Sequence, residues 1–326
     1  MYPRALAALG ARSAEERRAK ALSDGDAAAE RRAGALYALV AYAIWGLAPI
    51  YWKEIEEFPA PELLAYRVLA SLATALLLLA ALRAWRQLGA AMGSRRGAAA
   101  AALAGLLLAV NWLTFLWAVQ HDQIVATSLG YYMNPLVNVL LGMLILGERL
   151  TRAQALAVGL AALGVAVQTL ALRELPWIAL VLAVSFGLYG LARKLGPAAP
   201  LAGFGIETLT LAPLAGAYLL LLSGRGGGSV SRAGAGTQLL VASSGFVTAV
   251  PLLAFASAAK RLPLSALGMF QYLAPTLSLV VAVWMYGERF TRAHAISFAC
   301  VWLALALYAW EMLQRMPRPA APGGNA

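Results

Sequence analysis

The stretch GERLTRA at Gly147–Ala153 returns as GERFTRA at Gly287–Ala293, a shift of 140 in a chain of 326 residues. Kept without gaps, the same shift pairs Tyr132 with Tyr272, Pro135 with Pro275, Ala126 with Ala266, Phe115 with Phe255 and Gly105 with Gly245. Near the start of each copy, WGLA at Trp45–Ala48 meets YGLA at Tyr189–Ala192 at a shift of 144. Self-similarity of this reach indicates two homologous halves. Within each copy of the word, the glycine, glutamate and arginine read as a tight turn between two helices, and Thr151 reads as the cap of the next helix.

What the halves are made of follows from composition. The chain is 61% hydrophobic and 13% charged, with a mean hydropathy of +0.71, far from the balance of a soluble protein. A bilayer core of about 30 Å needs about 20 mostly apolar residues per helical span. Ten such windows occur, at 34–54, 62–83, 98–119, 124–146, 152–171, 176–195, 201–222, 237–258, 264–286 and 292–313. Apolar runs this long satisfy their backbone only as helices, and the alternation of a membrane barrel is missing. The expected fold is an all-α integral membrane protein of ten helices. Five spans per half is an odd number, so the second half enters from the opposite side, and the halves become inverted five-helix repeats at 34–171 and 176–313.

The formal charge of +11 raises nucleic-acid binding as a function class. The basic residues instead follow membrane topology. With the N-terminus inside, nineteen of the 26 Lys and Arg fall on the inner side and six outside, Arg67 alone lying within a span. That bias places both termini in the cytoplasm of a plasma (inner) membrane protein and argues against a nucleic-acid partner. Residues 1–33, Ala-rich and charged, and 314–326, rich in Pro, Gly and Ala, read as cytoplasmic tails without chemistry. No cleavable apolar segment is expected before the first span. A single cysteine, Cys300, allows no intrachain disulfide. Nothing in the sequence specifies an oligomeric state.

Several stretches give the chain a family likeness: YAIWGLAPIYWK (42–53), NWLTFLWAV (111–119), SLGYYMNPLVNVLLGMLILGERL (128–150), QYLAPTLS (271–278) and YGERFTR (286–292). In these it resembles the drug/metabolite transporter superfamily with two EamA-type repeats, and within it the RarD subfamily. The resemblance implies an inner-membrane transporter of ten helices, linked to chloramphenicol sensitivity, and is silent on substrate. The charged N-terminal tail and the Gly-rich SGRGGGSVSRAGAG (223–236) depart from the family pattern without touching the helices.

Polar groups at membrane depth are expensive and mark cavities or helix contacts. Arg67 and Glu207 are equivalent at the shift of 140 and opposite in charge. Inversion sets Arg67 ~8 Å below the outer surface and Glu207 ~10 Å above the inner one, so their backbones differ in depth by roughly 12 Å. Direct pairing then needs long rotamers or a water bridge. Snorkelling to the outer surface is the alternative for Arg67. Glu207 is too short to snorkel and is expected to be neutral, which would suit proton coupling, or offset by Arg67, Arg193 or Lys194.

A second constellation is aromatic and amide: Asn111, Trp112 and Trp117 in the third window, Tyr131, Tyr132, Asn134 and Asn138 in the fourth, and Gln271 and Tyr272 in the ninth. Tyr131, Asn134 and Asn138 share a helical face by spacing. Pro135 and Pro275 free backbone carbonyls within their helices, as helix interruptions do at transporter binding sites. These residues are candidates for a substrate cavity, against the alternatives of helix–helix hydrogen bonding and interface anchoring. Trp45 and Trp52 lie nearer the outer surface and fit the anchoring role better.

A membrane enzyme or a channel is the rival class. There is no HExxH pair and no metal-ligand spacing, His121 and His294 being the only histidines. The Gly-rich loop lacks the lysine of a nucleotide cradle and reads as an outer linker, and the spans carry no rings of like charge. No cofactor or metal is expected. The reading is a secondary transporter of a small organic metabolite or drug working by alternating access, with the lipid bilayer and that small molecule as its partners.

Overall fold

The computed structural model describes residues 29–93, 95–146, 151–195, 199–262 and 270–315. Among these no strand occurs. The helices are α1 (Ala29–Lys53), α2 (Ala60–Ala81), α3 (Trp85–Met92), α4 (Arg95–Gln120), α5 (Ile124–Leu146) and α6 (Arg152–Leu172), then α7 (Trp177–Leu195), α8 (Pro200–Gly224), α9 (Ser229–Arg232), α10 (Ala235–Arg261), α11 (Leu273–Val280) and α12 (Arg292–Arg315). Seven of them, α1, α2, α4, α5, α6, α8 and α10, are long and apolar enough to cross a membrane. Shorter apolar helices cover Trp177–Arg193, Leu273–Met285 and Arg292–Leu307.

Local chemistry sets most boundaries. Pro61 lies in the first turn of α2 and Pro200 in that of α8, where a missing N–H leaves no gap in the helix. Thr151 caps α6 as expected, within a full capping box: its hydroxyl accepts from the Gln154 N–H at 3.1 Å, and the Gln154 side chain accepts from the Thr151 N–H at 3.1 Å. In the second copy of the word, the Thr291 hydroxyl accepts from the His294 N–H at 3.3 Å, and His294 Nδ1 accepts from the Thr291 N–H at 3.2 Å. The repeated threonine therefore starts a helix twice. The turn at 147–150 lies outside the described residues, as do 1–28 and 316–326 of the tails.

Three departures have physical causes. The window 264–286 was expected to form one helix, and its residues 264–269 lie outside the described set. The remainder turns at Tyr272, runs as α11 and opens into a π-helical turn at Val281–Met285. Pro275 has no N–H to give the Gln271 carbonyl, so the chain breaks one turn before it. The basic loop 83–96 contains α3, which buries Leu88 and Ala91. The Gly-rich linker 223–236 contains the single turn α9, anchored by buried Val230.

The long helices pack α6 on α12, α5 on α7 and α11, α4 on α7 and α8, and α2 on α8 and α10. Lipid tails are as apolar as leucine, so close approach of backbones does the work of association. Gly105 and Gly245 mark two such approaches. A Cβ on Gly105 would stand 3.0 Å from the Glu207 carbonyl oxygen of α8, and one on Gly245 would run into the Ala70 carbonyl of α2.

Candidate substrate site

Arg67 of α2 is a buried cation, only 8% exposed. Neither sequence expectation describes it. It reaches no surface, so it does not snorkel, and it belongs to none of the ion pairs among the described residues. Its Nε–H donates to the Thr248 hydroxyl of α10 at 3.1 Å. Its guanidinium lies 4.8 Å from the Trp52 ring centroid and 4.1 Å from that of Trp112. Nη1 has no hydrogen-bond partner among the described residues. The Ser71 and Ser244 hydroxyls, on the same two helices, are also buried and unpartnered there. Trp52 is therefore no interface anchor, being 2% exposed beneath the arginine. Trp45 packs on Tyr42 and Phe255 instead.

Beside this box lies an amide and tyrosine network. Asn111 of α4 donates from Nδ2 to the Leu182 carbonyl at 3.1 Å and to the Ser185 hydroxyl at 3.0 Å, both on α7, and accepts from the Tyr131 hydroxyl at 3.2 Å. Asn111 thus ties three helices together. Tyr131 also contacts the Phe115 and Phe186 rings, and Trp117 stacks on His121. Tyr51 donates to the Leu240 carbonyl and lies 3.0 Å from the Ser243 hydroxyl, joining α1 to α10.

Tyr132 points into a different group. It is hydrogen-bonded to Thr276, stacks on Tyr272 and meets Phe298 and Trp302 edge-on. Tyr131 and Tyr132 are adjacent in sequence and face different clusters, as neighbours on a helix must. Asn134 is 1% exposed with its Oδ1 unpartnered among the described residues. Asn138, expected on the same face, is exposed, so the two do not share one lining. Gln271 is half-buried at the break that Pro275 causes, and Pro135 sits inside α5, leaving the Tyr131 carbonyl without its helical donor.

Glu207 of α8 is fully buried and separate from Arg67. Its partner is Arg193 of α7, whose Nη1 stands 3.2 Å from Oε1. The approach is off the hydrogen-bonding axis, and Oε1 counts as unbonded. Tyr189 donates weakly to Oε2 at 3.4 Å. Gly203, one turn before Glu207, leaves the space that the Arg193 guanidinium fills.

Two carboxylates that the sequence did not flag hold helix starts. Glu288, in the repeated word, reads in the sequence only as part of a turn, yet it is 9% exposed. Its oxygens accept from the Ile124 and Val125 N–H groups at 2.7 and 2.8 Å, closing the N-terminus of α5. The legible signal is Gln123: a helix that begins after a residue with no capping preference needs its acceptor from elsewhere. Burial pushes the Glu288 carboxyl above the usual glutamate range, and the two backbone donors partly offset this. Glu62 of α2 likewise accepts from the Ser229 and Val230 N–H groups at 3.0 and 2.8 Å, tethering α9. Three or more His, Cys, Asp or Glu never gather into a metal-binding group among the described residues.

Comparison with known proteins places this arrangement. Residues 32–170 match the EamA-like transporter family. An uncharacterized transporter of Pseudomonas aeruginosa is 46% identical over 299 residues, covering 90% of this chain and 99% of that protein. Protein RarD of Salmonella typhi is 43% identical over 286 residues, 88% of this chain and 97% of its own. The chloramphenicol-sensitive protein RarD of Pseudomonas aeruginosa is 31% identical over 294 residues, 89% and 98% of the two chains. A crystal structure 20% identical in sequence, covering 87% of this chain and 99% of its own, superposes with a TM-score of 0.57 and shares the fold. With identity of this level over 88–90% of its length, the chain belongs to the EamA-like transporters of the drug/metabolite transporter superfamily, in their RarD-type branch, and is a multi-pass membrane protein.

Proposed function

We propose that the chain is a secondary transporter of a small organic metabolite or drug, built of ten spans as two inverted repeats (34–171 and 176–313), with both termini in the cytoplasm of the inner membrane. The observation that carries this reading is a correspondence of contacts. Exchanging the halves turns the α4–α8 contact into the α2–α10 contact, and at each the aligned glycine approaches the partner backbone: Gly105 at Glu207, and Gly245 at Ala70, one turn from the equivalent Arg67. Such exchange symmetry is what two repeats rocking around a central site need for alternating access. The seven long and three shorter apolar helices each overlap one of the ten windows, the ninth only over its second half, which supports the reading of ten spans. The relatives' transporter names favour a carrier over an enzyme, and one of them makes chloramphenicol a sensible first probe.

Proteoliposome flux tests the reading. A carrier saturates and performs counterflow, a channel does not, and an enzyme returns altered substrate. A cysteine at position 227 should react from outside and a reporter after Gln314 should sit inside; reversal of either removes the inverted topology. Tyr131, Tyr132 and Asn134 are the lining candidates. Tyr132→Phe should alter transport affinity with normal expression, whereas unchanged kinetics would assign Tyr132 to packing. Glu207 is the candidate proton site, although its ion pair with Arg193 supports a static role as well. If it carries the proton, Glu207→Gln loses gradient-driven flux and keeps exchange. Full gradient-driven transport in that variant excludes coupling at this residue.

A further inference from the structure

We infer that the Arg67 guanidinium, set between Trp52 and Trp112, is the docking point for the carboxylate of a monoanionic organic substrate. This rests on the carrier reading above and names the substrate class of that same site. Burying an ion without a counter-ion stays costly even after relaxation, because its hydration is lost and no opposite charge replaces it. The compensation visible for Arg67 is one neutral hydrogen bond to Thr248 and two ring faces, and the attraction of a ring quadrupole for a cation is weaker than that of a full negative charge. That holds the guanidinium in place without neutralising it. Nη1 remains without a partner among the described residues. The surrounding hydroxyls do not fill the role: Tyr51 is committed to α10 and Tyr131 to Asn111. The site has the form of a preorganised cation awaiting an anion.

Geometry and charge narrow the anion. A guanidinium presents planar, parallel N–H donors that match a carboxylate. One positive charge balances one negative charge. Lys53 is already bound to Glu56 and Asp122, and Arg193 to Glu207, so neither stands ready for the second charge of a phosphate dianion. The ring walls favour an apolar body behind the carboxylate. Arg67 joins α1, α4 and α10 through Trp52, Trp112 and Thr248, so an anion there would neutralise a charge shared between the halves.

Matched triplets test this: butyrate, butanamide and butylamine, and 3-phenylpropionate, 3-phenylpropanamide and 3-phenylpropylamine, titrated against the purified full-length protein while its melting temperature is followed. At least one carboxylate should stabilise the wild type, and its amide and amine should bind about tenfold or more weakly, the loss expected when a charged hydrogen-bonded contact is removed. Arg67→Lys should weaken the carboxylate and leave the amide unmoved, and Arg67→Gln should abolish the preference. Equal response to carboxylate and amide, preference for the amine, or no response to either carboxylate overturns the assignment on wild-type protein alone, whether or not the variants fold. Counterflow separates the two readings. Carboxylate binding without counterflow sinks the carrier and keeps the anion site, while counterflow of chloramphenicol without any carboxylate preference keeps the carrier and sinks Arg67 as its anchor.

Discussion

Replacing Gly245 by alanine probes the α2–α10 contact with a single methyl group. Where the added Cβ finds open space, Gly→Ala within a helix gains about 0.5–1 kcal/mol. Gly216 of α8 is such a place, with nothing within 4 Å. At Gly245 the methyl would overlap the Ala70 carbonyl and come 2.6 Å from the Thr74 hydroxyl. That hydroxyl cannot simply swing away, because it donates to the same Ala70 carbonyl at 2.8 Å. Backbone has to move, and overpacking of this kind costs about 1–3 kcal/mol. Set against the helix gain, Gly245→Ala should destabilise by about 0.5–2 kcal/mol. Gly105→Ala, whose methyl meets the Glu207 carbonyl at 3.0 Å, needs only a few tenths of an ångström and should fall between the two. Thermal unfolding of the three variants in one detergent should therefore rank Gly216→Ala above Gly105→Ala above Gly245→Ala. A Gly245→Ala protein as stable as Gly216→Ala would refute the claim that backbone contact holds α2 against α10.

Glu288→Ala leaves two buried N–H groups at the start of α5 without an acceptor and should destabilise by about 2–4 kcal/mol. Glu288→Gln keeps one acceptor oxygen and should cost about half as much or less; hydrogen exchange at Ile124 and Val125 would locate the effect. The folded carboxyl titrates above the ordinary glutamate value, so its contribution is full below about pH 4.3 and erodes as pH rises through the folded value. Melting curves of wild type and Glu288→Gln should accordingly shift in favour of the glutamine variant from pH 4 to pH 8, and the opposite trend would contradict the burial argument. Thr151→Ala removes both the α6 cap and the 2.8 Å hydrogen bond to Glu311 and should lower stability by about 1–2 kcal/mol; Thr151→Ser, which keeps the hydroxyl, should restore most of it.

The sequence by itself determined the membrane class, the two copies and many of the helix starts, because each is written locally. Hydropathy accumulates over one span, Pro61 and Pro200 act on their own turns, and Thr151 caps a helix with Gln154 three residues on. Even the break at Tyr272 was implicit in Pro275, although its extent and the π turn at Val281–Met285 were not. The tertiary structure alone decided what the buried charges do. Arg67 found Thr248 at a separation of 181 residues and Glu288 found Ile124 at 164, contacts that no spacing rule reaches. Depth arithmetic made direct pairing of Arg67 with Glu207 awkward without deciding it, because it treated each as a point on its own helix. A long side chain can take any of several directions from one backbone position, and the choice between surface, counter-ion and tryptophan box depends on which helices pack beside it. Packing is also why Asn134 and Asn138, on one face by periodicity, part company: Asn134 is enclosed, while Asn138, although beside Gly187 of α7, stays exposed.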